Sequence, residues 1–94
     1  MTTIKWTNVE IGKKYKYEER HNLQAEVLVL YKDLFNDYIR IKIKIILPVY
    51  NCKKDYIFFV GKYLNKNFSY IMDGHNFKTL NDKFDYIITK KFLP

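Results

Sequence analysis

The stretch of this chain that carries the most chemical content is Tyr38-Ile39-Arg40-Ile41-Lys42-Ile43-Lys44-Ile45-Ile46-Leu47. From Ile39 to Ile45 an isoleucine stands at every odd position and a cation at every even one. Successive side chains of an extended strand point to opposite faces. One face is therefore continuous isoleucine, and the other is Arg40, Lys42 and Lys44 in file behind Tyr38. A helix, with its period of about 3.6, would mix the two sets. Along the strand the cations fall about 6.5–7 Å apart. That spacing is comparable to the repeat of phosphates along a nucleic-acid strand, so the row is a candidate polyanion contact. Lys14 and Lys16 on one neighbouring strand and Lys62 on another extend the row if their strands lie alongside. Interleaved tyrosines add surfaces on which bases can stack. The plainer reading is that a half-buried strand needs a polar outer face, and that lysine discourages edge-to-edge pairing.

Other residues with chemical potential are scattered. His21 sits in Glu19-Arg20-His21-Asn22, and His75 follows Asp73-Gly74. A general acid or base needs a tuned pKa and a partner within reach. Asp73 is placed to orient His75; otherwise both histidines read as solvated turn residues. Cys52 stands beside Lys53 and Lys54, which would lower a thiol pKa, but no histidine is near it in sequence. A single cysteine makes no intramolecular disulfide and fits a reducing compartment. Two histidines and one cysteine, far apart, do not supply the three or four ligands of a typical metal site. Gly12, Gly61 and Gly74 are isolated, so no phosphate-cradling or dinucleotide motif exists. No nucleophile elbow or paired-carboxylate motif is present either. The expectation is a protein that is not an enzyme and uses no metal and no cofactor.

The elements that must position these residues are extended ones. Nine Tyr, seven Phe and one Trp make 18% of the 94 residues aromatic, and Ala25 is the one alanine. Aromatic and β-branched residues suit a pleated surface, and poverty in alanine argues against long helices. Strands are expected over 13–17, 25–31, 38–47, 56–64, 68–72 and 84–89, with turns between them. The loops or turns fall at 18–24, at 32–37, at 49–55, at 65–67 and at Asp73-Gly74. Pro48 is expected to end the alternating strand, and Gly61 to mark a bulge or a corner. One helical turn is expected over Val9-Glu10-Ile11 and another near Thr79-Leu80.

That pattern reads as a single domain over 1–94, all-β or mainly β with α+β as second choice. The segment from Val9 to Val60, opening on Glu10-Ile11-Gly12-Lys13-Lys14-Tyr15 and continuing as a meander, resembles the SH3-like barrel pattern over about half of the chain. The resemblance is one of architecture and implies a small five- to six-stranded antiparallel SH3-like or OB-like barrel or roll. Fold alone carries no function.

Seventeen Lys and Arg against ten Asp and Glu give a net charge of +7, spread evenly along the chain. A positive field of this kind attracts polyanions. The N-terminal residues lack an apolar signal-like stretch, and no run approaches the roughly 18–20 apolar residues that span a bilayer. A cytoplasmic protein without a membrane partner is expected. Abundant Lys, Ile, Asn and Tyr hint at an AT-rich genome, such as that of a low-GC bacterium, phage or virus. The leading expectation is a stoichiometric binder of nucleic acid or a nucleoprotein through Arg40, Lys42, Lys44, Lys14, Lys16, Lys62 and Tyr38, including an inhibitor that fills the nucleic-acid channel of a host enzyme. The second is a module that binds a host protein, or a second copy of itself, through exposed aromatics such as Phe35, Tyr50 and Tyr31. A small toxin-like ribonuclease using His75 is the third.

Overall fold

The alternating run forms the core of a long central strand. The computed structural model describes residues 3–20, 22–64 and 75–82. Over these the chain forms β1 (Thr3–Ile4), a 3-10 turn (Trp6–Asn8), β2 (Lys14–Glu19), β3 (Leu23–Phe35), β4 (Tyr38–Tyr50), β5 (Ile57–Tyr63) and β6 (His75–Lys78). The six strands make one sheet in the order β1-β6-β2-β3-β4-β5, and every neighbouring pair is antiparallel. The protein is mainly β, with that 3-10 turn as its one helical element among the described residues. No ladder joins β1 to β5 among those residues.

Strands β3 and β4 are longer than their composition suggests. Each runs for 13 residues, and they meet through a two-residue turn at Asn36-Asp37, with Asn36 at φ 49°. Residues 32–35 are strand and not turn, because each polar group there finds a partner. Lys32 Nζ donates to the carbonyls of Thr7 (2.8 Å) and Val9 (2.9 Å), and Asp33 pairs with Arg40. Pro48 does not end β4. It lies opposite Ala25, next to a register shift, and beyond the β5 ladder, which stops at Lys44–Ile57. A proline is tolerated at such an edge because its missing N–H breaks no ladder there.

Other boundaries shift for similar reasons. β2 continues through Glu18 and Glu19, which pair with Gln24 and Leu23. The first helical turn is Trp6–Asn8, ahead of the expected Val9-Glu10-Ile11; Gly12, at φ 86°, then supplies the turn into β2. Residues 75–78 form a strand where a helical turn was expected nearby, because His75 to Lys78 pair in register with Glu19 to Lys16. The expected strands 68–72 and 84–89, the turns at 65–67 and Asp73-Gly74, and His21 lie outside the described residues.

The isoleucine face is the core. Ile39, Ile41, Ile43 and Ile45 are all 0% exposed. They pack with Ala25, Val27 and Val29 from β3 and with Phe58 and Val60 from β5. Full burial of a side chain of this size contributes about 1.5–3 kcal/mol. At the other end of the sheet the same face carries an aromatic cluster. Phe77 meets Trp6 edge-on (centroids 5.1 Å apart, planes at 81°) and Tyr17 at 4.9 Å. Trp6 Nε1–H donates to the carbonyl of His75 at 3.1 Å, which satisfies the polar end of a buried ring. Lys62 Nζ lies 5.8 Å from the Trp6 ring centre. A residue of β5 thus approaches the segment after β1, so the sheet curls over its isoleucine face.

Candidate functional site

The outer face of the sheet is assembled by a β-bulge. Val29 pairs with Ile43, but Tyr31 pairs with Lys42, which leaves Leu30 as an extra residue in β3. One extra residue moves all later side chains to the opposite face. Before Leu30 the odd residues of β3 point to the core; after it Tyr31, Asp33 and Phe35 point outward with the cations of β4. Three rows result: Phe35–Tyr38–Tyr63, Asp33–Arg40–Gly61 and Tyr31–Lys42–Phe59. A fourth, Lys14–Leu28–Lys44–Ile57, crosses all of β2 to β5.

Within these rows Arg40 is the hub. Its Nη2 donates to Asp33 Oδ2 at 2.6 Å, and its guanidinium carbon lies 4.5 Å from the Phe59 ring centre and 5.8 Å from that of Phe35. Lys42 Nζ lies 5.7 Å from the Phe59 ring centre. The aromatic rings stay open to solvent: Phe35 is 52% exposed, Phe59 47% and Tyr31 45%. The Tyr31 hydroxyl, and then Arg40, hydrogen-bond the Asp33 carboxylate and hold its pKa below the usual aspartate value; by donating that bond the Tyr31 phenol is shifted upward. Tyr38 packs on Tyr63 (4.9 Å, 63°) and its phenol covers Gly61. The β4–β5 register runs unbroken past Gly61, so this glycine marks no bulge. Its role is clearance, because a Cβ there would overlap the Tyr38 hydroxyl.

Six of the ten residues expected to bind partners therefore meet on one surface: Tyr38, Arg40, Lys42, Lys44, Phe35 and Tyr31. Lys14 and Lys16 share the face; Lys14 lies two strands from Lys44, about 10 Å away. Lys62 does not share it. It pairs with Ile39 on the isoleucine side and points to Trp6, because Val60 opposite Ile41 sets the parity of β5. Tyr50 lies opposite Gln24, at the far end of β4 from Tyr38. Phe59, Ile57 and Tyr63 join the surface without having been singled out. Their run, Ile57-Phe58-Phe59-Val60, is apolar at every position and carries no parity of its own.

Charge on this surface is partly internal. Arg40 is paired with Asp33, and Lys44 Nζ lies 3.8 Å from Asp55 Oδ1, an open contact of little energetic weight. Lys42 and Lys14 form no ion pair among the described residues.

The remaining candidates go elsewhere. Cys52 lines a small cavity of about 240 Å³ with Leu23, Asn51, Lys53 and Tyr56. Burial pushes its thiol pKa up, against the lowering expected from Lys53 and Lys54, and Sγ contacts the carbonyl of Gln24 at 3.4 Å. The expected result is slow alkylation: iodoacetamide at neutral pH should modify Cys52 several-fold more slowly in the folded protein than in denaturant, read by mass spectrometry. His75 belongs to β6, and its carbonyl serves Trp6. No group of three or more His, Cys, Asp or Glu side chains suited to a metal ion, and no helix long and apolar enough to cross a membrane, occurs among the described residues.

A scan of protein-family models, a search of curated proteins and a search of solved structures each found no match to this chain.

Proposed function

We propose that this protein is a non-enzymatic binder of nucleic acid or of a nucleoprotein, acting through the outer face of β3, β4 and β5. The observation that carries this reading is the interleaving of exposed rings with cations: Phe35, Tyr31 and Phe59 around Arg40 and Lys42. Rings take up bases by stacking, and cations take up phosphates. Both groups stand on β3, β4 and the edge strand β5, whose other face is core.

Fluorescence anisotropy with a labelled oligonucleotide tests it. Two or three phosphate contacts predict a salt slope of about −1.5 to −2, so a fourfold rise in salt weakens binding about tenfold. Lys42→Glu with Lys44→Glu is expected to abolish binding. Binding that ignores both salt and charge reversal would refute the proposal.

One observation favours a second reading, a protein partner. Two of the three cations of β4 already face carboxylates, and Ile57 adds an apolar residue to the surface. Exposed aromatics beside arginine are what the centres of protein interfaces are enriched in. Salt-insensitive capture of a protein, lost in Phe35→Ala, distinguishes that case.

A further inference from the structure

We infer that the ligand of this face is a single strand of nucleic acid with its bases unstacked, and not a duplex. The inference rests on the nucleic-acid reading above and deepens it. Three observations support it.

The first is the shape of the reading element. The exposed rings of Phe35, Phe59 and Tyr31 stand on a sheet face formed by paired strands. None of them projects from a helix or a two-stranded ribbon of the kind that enters a major groove. A sheet face can meet the flat side of a base only when that side is exposed. A duplex hides its base faces by stacking, whereas an unpaired strand can lay them on aromatic rings.

The second is the fixed guanidinium. Arg40 is held by Asp33 at 2.6 Å and lies 4.5 Å from the Phe59 ring centre, which stops it from swinging towards a distant phosphate. A guanidinium held in this way offers a second flat surface beside the rings, and an arginine plane stacks on a base as an aromatic ring does.

The third is the balance of charge and ring. With Arg40 engaged by Asp33 and Lys44 near Asp55, part of the positive charge of this face is already answered by carboxylates. Tight duplex binders neutralise many phosphates and take most of their affinity from that term. Here exposed rings stand beside a partly neutralised row of cations, so stacking adds to the phosphate contacts in holding the ligand. The footprint set by these rings is about three or four nucleotides, at the small end for a β module.

The experiment uses the whole chain and a fluorescein-labelled pyrimidine oligomer of about twelve nucleotides, several times that footprint. It is offered as DNA, as RNA, and as the DNA strand annealed to its complement. The single strand is expected to bind at least about tenfold tighter than the duplex. Phe59→Ala is expected to weaken strand binding by about tenfold to a hundredfold, the loss of one stacked base, while leaving duplex binding unchanged. Phe59→Tyr keeps a ring and should keep the affinity. Phe59 is half exposed, so a thermal melt is expected to show both variants folded. A preference between the DNA and RNA arms identifies the source of the strand and supports the inference. Equal or tighter duplex binding, with Phe59→Ala silent, overturns the single-strand inference and leaves the polyanion reading standing. Failure of every oligomer to bind overturns both.

Discussion

Ile41→Ala is expected to lower the free energy of unfolding by about 2–4 kcal/mol, whereas Lys42→Ala beside it should change it by no more than about 0.5 kcal/mol. The two residues are adjacent, but they lie on opposite faces of β4. Ile41 is 0% exposed, between Lys32 of β3 and Val60 of β5 in the ladder. Truncation there removes buried methyl groups and leaves a cavity that a rigid sheet cannot collapse to fill. Lys42 loses only an exposed contact with Phe59. For a domain near this size each kcal/mol moves the melting midpoint by about 4–8 °C, so the first variant should melt about 8–32 °C lower. Ile41→Asp would bury an unpaired charge and is expected to leave no folded population at room temperature. Urea or thermal melts followed by circular dichroism read all three. Equal losses from Ile41→Ala and Lys42→Ala would mean that β4 is not held in this register, since a slip of one residue exchanges its two faces.

This contrast could be foreseen because the period of 2 is written into residues 39–45 without interruption. The same clarity did not extend to the neighbours of β4. In β3 the buried apolar residues are odd at Ala25, Val27 and Val29, but Leu28, Leu30 and Leu34 are apolar at even positions and Tyr31 and Phe35 at odd ones. Apolar residues of both parities therefore hide the Leu30 bulge. It was obscured further by Lys32 and Asp33, which read as turn residues until their partners are seen. Those partners, the carbonyls of Thr7 and Val9 and the guanidinium of Arg40, come from other parts of the fold. In β5 no local sign exists, since Ile57-Phe58-Phe59-Val60 is apolar on both faces. Which of its side chains face solvent depends on pairing with Ile41, a long-range fact. The cationic row was therefore legible, while the rings that make it a candidate site depended on a bulge and a register.

The ion pair between Lys78 and Glu18 is where the largest polar effect is expected. Lys78 Nζ lies 2.8 Å from Glu18 Oε1, with the lysine side chain 1% exposed and the glutamate side chain 11%. Asn76 stands opposite Glu18 and Lys16 opposite Lys78, so the pair is a diagonal one between β2 and β6 on the outer face. Glu18 Oε2 is buried without a hydrogen-bond partner, so the desolvation of this carboxylate is only partly offset. Removing the Lys78 charge strands the Glu18 carboxylate in a poorly hydrated site. Lys78→Met, which keeps the length of the side chain, should therefore cost about 3–5 kcal/mol, and Glu18→Leu less, because Lys78 keeps a further interaction. The double variant should cost far less than the sum and come close to the parent, because an apolar pair of like volume avoids both desolvation penalties. Equilibrium urea unfolding of the four proteins gives the coupling energy directly. Coupling of about 2 kcal/mol or more is expected for groups this close and this buried. Additive losses would mean that the two charges are hydrated in solution and that the β2–β6 contact is looser than this geometry. A surface pair such as Lys13–Glu10, with side chains 61% and 63% exposed, should show coupling near zero in the same cycle. Burial, and not the presence of an ion pair, is what makes the inner cycle large.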